Sequence, residues 1–226
     1  MSKSPFVKVK TVFQEEGARG VFWKLVRKVG NLIYKKQTFV FLNRDLSLTV
    51  RAYRKLKRWQ DRQFKREDIV FCKKHFERFM PHYHDLFDLG LKAFASFETE
   101  TNDVIGIAWY ADKDFYDQHY LHHNFNVSNH QVLQFACEVS EPYRNTQISG
   151  SGLKYIYEYW KEKGKTELIT TIDASNSPSL RLMFHLGWEE TGEALTFHRL
   201  FGYRWQSTEY YQGERFGNYK KRKHIK

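Results

Sequence analysis

Cysteine is scarce in this 226-residue chain, with only Cys72 and Cys137, 65 positions apart. Two thiols so far apart leave no disulfide scaffold and no structural zinc pattern. They read as small buried residues of a reduced, cytoplasmic protein. Long apolar runs are also missing. None reaches the roughly 18 residues that a membrane-spanning helix needs. The opening MSKSPFVKVK has neither the apolar stretch nor the cleavage site of a secretion signal. Internal repeats are absent as well. Hydrophobic residues at 41% and aromatics at 17% are enough to bury a core, which excludes wholesale disorder.

The net charge of +11 is unevenly spread. Residues 1–36 hold nine Lys/Arg against Glu15 and Glu16, residues 51–66 hold eight against Asp61, and residues 214–226 hold six against Glu214. The stretch 67–213 holds thirteen basic and twenty-one acidic residues. Basic arms therefore flank an acidic centre. They are either solvated faces or contacts for an anionic partner, such as a membrane surface, an acidic carrier protein or, least favoured, nucleic acid. The division that follows is a basic, helical extension with one strand over 1–66, an acidic central domain over 67–213 and a basic tail over 214–226.

Within the extension, Val21, Phe22, Leu25, Val26, Val29, Leu32 and Ile33 recur at helical spacing. They predict an amphipathic helix over 17–36, either packed on its own domain or lying in a membrane interface. The pattern then predicts a strand at 37–50, a basic helix or linker at 51–66, and a helix at 67–79 that ends before Pro81. Strands follow at 91–100 and 104–113 around a polar turn, then a loop at 114–130. Further strands are expected at 131–141, 165–175 and 195–207, and helices at 150–163 and 177–186, the last closed by Gly187. The mixture indicates an α/β layer fold with a mostly antiparallel sheet.

The chemistry lies in EVSEPYRNTQISGSGLKYIYEYWKEKG (138–164) and ELITTIDASNSPSLRLMFHLGWEETG (167–192). A strand enters a Ser/Gly-rich turn that opens into a helix. Such a turn aims backbone N–H groups and a positive helix end at one point, which suits a phosphate. Short turns of this kind are also common without any ligand. The whole block, from Val139 to Gly192, resembles the GNAT N-acyltransferase superfamily. The matching pieces are Val139, Pro142-Tyr143, the loop from Arg144 onward, Asn176, and Leu186-Gly187-Trp188.

Two registers fit the loop. Gln147-Ile148-Ser149-Gly150-Ser151-Gly152 matches the family's phosphate pattern letter for letter but needs an insertion. Arg144-Asn145-Thr146-Gln147-Ile148-Ser149 runs ungapped to Gly164, Asn176 and Gly187, and is preferred. It puts Gln147 where glycine is usual, which a side chain tolerates only at negative φ.

The resemblance implies a GNAT fold with a basic helical N-terminal extension, acetyl-CoA or another acyl-CoA as donor, and a small-molecule amine as acceptor. It implies direct attack in a ternary complex. The coenzyme A site would be Val139, Arg144, Gln147, Ile148, Ser149, Gly150, Ser151, Gly152 and Asn176. The family's frequent acid, a Tyr on the last short helix, falls on Met183, which cannot donate a proton. Tyr203, Tyr210 and Tyr211 are the alternatives. A family Glu that serves as general base on the second strand falls on Thr171, so Glu138 is the favoured general base, with Glu141 and Asp173 nearby. His119, His122, His123 and His130 fit no standard zinc spacing, and no metal is expected. Two other readings stay open: a longer-chain acyltransferase working at a membrane or with a carrier protein, and a non-catalytic acyl-CoA-binding module.

Overall fold

A computed structural model describes residues 33–48, 58–73, 75–144 and 146–219. The stretch 17–32 of the amphipathic segment and the tail from 220 onward lie outside the described residues.

One eight-stranded sheet organises the chain. Its strands are β1 (Tyr34–Asp45), β2 (Trp59–Phe64), β3 (Lys92–Glu98), β4 (Val104–Ala111), β7 (Gln131–Val139), β8 (Glu167–Asp173), β9 (Glu189–Leu200) and β10 (Tyr203–Tyr210). Their order is β10-β9-β1-β8-β7-β4-β3-β2. Every neighbouring pair is antiparallel except β7 and β8. A small hairpin of β5 (Phe115–Asp117) and β6 (His123–Phe125) forms a second sheet. The helices among the described residues are α1 (Met80–Asp88), α2 (Ile148–Ser151), α3 (Leu153–Glu162) and α4 (Ser177–His185).

Side chains alternate across the strands and feed two cores. Trp109, Leu133 and Phe135 pack with Phe76, Tyr83 and Leu86 of the α1 side and with Phe115 and Phe125 of the hairpin. Tyr110, Val132, Val40 and Leu42 pack with α3 and α4 on the opposite face. In α3, Leu153, Ile156, Tyr157 and Trp160 are the buried residues, spaced as one helical stripe.

The chain departs from its sequence pattern in five places, one of them the β5–β6 hairpin within 114–130, where a loop is expected. β1 begins at Tyr34, inside the expected 17–36 helix, and sits between β9 and β8. Trp59–Phe64 is a strand within the stretch read as helix or linker. Residues 67–79 are not one helix but two 3-10 turns, Arg66–Phe71 and Glu77–Phe79. Pro81 occupies the first turn of α1, where its missing N–H costs nothing, so it starts a helix rather than ending one. Finally, the strand expected at 195–207 is the β9–β10 hairpin, turned by Phe201 (φ 47°) and Gly202 (φ 89°).

Candidate functional site

β7 and β8 pair only from Gln131–Gln134 to Glu167–Thr170. Past that point the two strands part. The cause is local to β7. Ile107 pairs with Glu138 and Trp109 with Phe135, so Ala136 and Cys137 together face the single Ala108. Ala136 takes φ 47° to accommodate the extra residue. This bulge resets the alternation. Without it, Glu138 would share a face with Gln134. With it, Glu138 joins Phe135 on the α1 face.

The parting leaves one edge of β7 open. The Ser140 amide donates to the Ile105 carbonyl on β4 at 2.9 Å. The groups of Val139 therefore point the other way, into the splay. Arg144 meets them there: its Nε donates to the Val139 carbonyl at 3.1 Å and its Nη2 to Glu138 Oε1 at 3.1 Å. His75 Nε2 lies 3.0 Å from the same carboxylate oxygen.

The chain then makes a 3-10 turn, Glu141–Tyr143, and enters α2 at Ile148. Gln147 has φ −78°, so its side chain is unstrained where the family usually has glycine. Thr146 Oγ1 donates to the Tyr143 carbonyl at 2.6 Å. Gly152 is itself helical, at φ −82° and ψ −10°, and carries α2 into α3. Residues 148–152 are thus the opening turns of a helix, not a loop.

Several side chains of that stretch turn inward. Ile148 is buried against Trp59 and Ile105. The Ser151 hydroxyl accepts from Trp59 Nε1 at 2.9 Å and donates to the Ile148 carbonyl at 3.1 Å. A Cβ on Gly152 would meet the Asp61 Cβ at 3.3 Å, and Gly150 is buried. What the segment offers a ligand is therefore backbone: the opening amides of a helix, which lack carbonyls four residues back and carry its positive end. The Arg144 guanidinium, half-exposed, stands beside them.

On the other strand, Thr171 pairs with Phe41. Asp173 accepts from Gln37 Nε2 at 2.7 Å and from both the amide and hydroxyl of Ser175. Burial would raise its pKa, but the hydrogen bonds from Ser175 and Gln37 outweigh that and hold it below the ordinary value. Asn176 is the N-cap of α4, its Oδ1 accepting from the Ser179 amide at 3.2 Å. Met183 is a buried core residue. The candidate tyrosines do not replace it. Tyr203 and Tyr210 are exposed on β10, separated from β8 by β9 and β1. The Tyr211 hydroxyl donates to Glu190 at 2.7 Å.

Two further residues lie near Glu138, of which His75 escaped the sequence reading. His75 sits edge-on to Phe76 and Phe79, with ring centroids 5.0 and 6.2 Å away. Tyr120, between β5 and β6, has its hydroxyl pushed up to about 12 by burial, with the charges of Asp117 and Glu138 adding. It is protonated at neutral pH and near enough to feel Glu138. No spacing in the sequence signals His75, which is 63 positions from its partner. The histidine-rich stretch disperses instead: His119 stacks on His82 at 4.2 Å, His123 faces Gln206, and His130 faces Glu167. Among the described residues, no group of three or more His, Cys, Asp or Glu is placed to hold a metal. Nor is any helix among them long and apolar enough to cross a membrane.

No protein-family model and no curated protein matches the sequence. Solved structures do. A GCN5-related N-acetyltransferase from Sphaerobacter thermophilus superposes with a TM-score of 0.51 at 12% identity, over 86% of this chain and 69% of that one. A tandem GNAT protein of the clavulanic acid biosynthesis pathway gives 0.51 at 14% identity, over 80% and 58%. The fold is the GNAT fold. A Drosophila protein gives 0.52 at 12% identity, and the chain spans 58% of its length. At such identities the likeness extends to the GNAT architecture alone, with its splayed parallel pair at β7 and β8.

Proposed function

We propose that this chain is an acyl-CoA-dependent N-acyltransferase acting on a small amine. The observation that carries the reading is the open edge of β7, with the Val139 carbonyl turned into the splay beside a helix N-terminus. A pantetheine arm is an extended chain of amides, and it would add to that edge as a strand does. Its pyrophosphate would meet the opening amides at 147–149 and Arg144. The negative φ of Gln147 and the helix start at Ile148 support the ungapped register. Ser151, Gly150 and Gly152 would then shape the turn from within rather than touch the phosphates. Asn176 would reach the pantetheine while capping α4.

Bound acetyl-CoA would supply the acyl group as a thioester. Glu138, on the α1 face, would serve removal of the acceptor's proton, on the side of β7 away from α3. Tyr120 offers a protonated hydroxyl on that same side. The buried Met183 favours one other reading, a binding module without turnover. A thiol-release assay with acetyl-CoA and a panel of amino sugars, amino acids and polyamines separates the two. Amine-dependent release is expected; none from any amine, with coenzyme A still bound, would leave only the binding module. Longer acyl donors and an acyl carrier protein belong in the same assay as alternative donors.

A further inference from the structure

We infer that His75 is the proton-accepting base of this site and that Glu138 is its orienting partner. The inference rests on the acyl-transfer reading above. Glu138 Oε1 is approached by two groups, His75 Nε2 at 3.0 Å and Arg144 Nη2 at 3.1 Å. With Nε2–H donating to the carboxylate, the neutral ring carries its lone pair on Nδ1. A carboxylate that fixes an imidazole tautomer in this way also stabilises the imidazolium that forms when Nδ1 takes a proton.

The surroundings suit the role. The ring packs against Phe76 and Phe79, at steep angles of 86° and 66° to their planes. One fifth of the His75 side chain is exposed, so a substrate proton can reach it. Imidazole is also better matched than a carboxylate to taking a proton at neutral pH. The charged and titratable groups around the pair come from every neighbouring element. They are Cys137 on β7, Arg144 on the turn, Tyr83 on α1 and Tyr120 between β5 and β6.

The proton balance is simple. An acceptor ammonium loses one proton to Nδ1, its N–H bond breaking as the imidazolium forms. The neutral amine attacks the thioester carbonyl, the new C–N bond forms and the C–S bond breaks. The second nitrogen proton goes to the departing thiolate, and the imidazolium returns the first to water.

Two measurements on the full chain test this. The first reads the imidazole nitrogen resonances of the neutral ring by NMR, with H75Q identifying the His75 signal. With Nε2–H held by the carboxylate, the neutral ring should carry its proton on Nε2 and leave Nδ1 bare; a ring protonated on Nδ1 instead would overturn the pairing. The second is thiol release against pH for wild type, H75Q, H75N and E138Q, with coenzyme A binding measured alongside. H75Q and H75N should lose about 10²-fold or more in kcat and lose the acid limb, while binding coenzyme A as the wild type does. Turnover by both variants with the wild-type acid limb would overturn the inference and leave acyl transfer standing. A wild type that binds coenzyme A but acylates no amine would instead overturn the acyl-transfer reading, and the inference with it.

Discussion

Arg144 Nε donates to the Val139 carbonyl over 3.1 Å, on the edge of β7 that β8 has left open. The guanidinium thus stands between the strand edge and the start of α2. If it moves to a pyrophosphate, Arg144→Ala should weaken coenzyme A binding about 10- to 100-fold, the size of a lost charge-assisted hydrogen bond. Arg144→Lys should recover only part of it, since an ammonium lacks the two-pronged fork. Calorimetry with coenzyme A reads both. Equal or tighter binding by the alanine variant would mean that Arg144 only closes the strand edge.

Cys137 tests where the ligand lies. It is exposed, although enough protein surrounds its thiol that burial pushes it up to about 11. Cys72 is buried, and burial pushes its thiol to about 12. Iodoacetamide should therefore label Cys137 slowly at neutral pH and faster as pH rises, with Cys72 unlabelled in the folded chain. Saturating coenzyme A should slow Cys137 labelling severalfold. Unchanged labelling would put the ligand elsewhere.

Gly187 tests the packing that positions α4. It adopts φ 82°, and the place of a Cβ is taken by the buried Arg44 guanidinium, which donates to the Leu186 carbonyl. Gly187→Ala should cost about 1–3 kcal/mol from the strained backbone alone, with the displaced guanidinium adding to it. Urea denaturation gives the value. Gly164 is the control: it also has positive φ, but nothing stands within 4 Å of its would-be Cβ, so its cost should be smaller.

Asp68 should give the fold a pH dependence. It is buried and receives both Nη1 and Nη2 of Arg62, at 2.6 and 2.8 Å, together with the Lys65 amide. Burial would raise its pKa, but these hydrogen bonds outweigh that and hold it below its ordinary 3.8. A carboxyl with a depressed folded pKa contributes stability that is complete above the ordinary value and is lost as pH falls through the folded one. Asp68→Asn should therefore lose about 1–3 kcal/mol at pH 7. The gap to wild type should narrow as pH drops below 3.8. A gap that persists undiminished at low pH would contradict this.

The sequence was most legible where one rule governs a segment. The stripe Leu153, Ile156, Tyr157, Trp160 marked α3, and Gly187 marked the end of α4, because both signals are local. It was least legible where distant partners decide. The stretch 59–64 is polar, QDRQF after Trp59, yet it is a strand because β3 pairs with it. Residues 114–130 looked like a loop because β5 and β6 have three residues each, too short to show a period. The site divides the same way. The turn from Arg144 and the helix behind it followed from spacing. The bulge at Ala136 did not, because only the pairing with β4 exposes it, and it is the bulge that brings Glu138 to the face of His75.

The central claim is that the splay beside Val139 binds coenzyme A, and calorimetric titration of the full chain with coenzyme A tests it most directly. The account predicts saturable one-to-one binding with micromolar to submillimolar affinity, weakened by Arg144→Ala. No heat of binding up to millimolar ligand, from a protein shown to be folded, would contradict it.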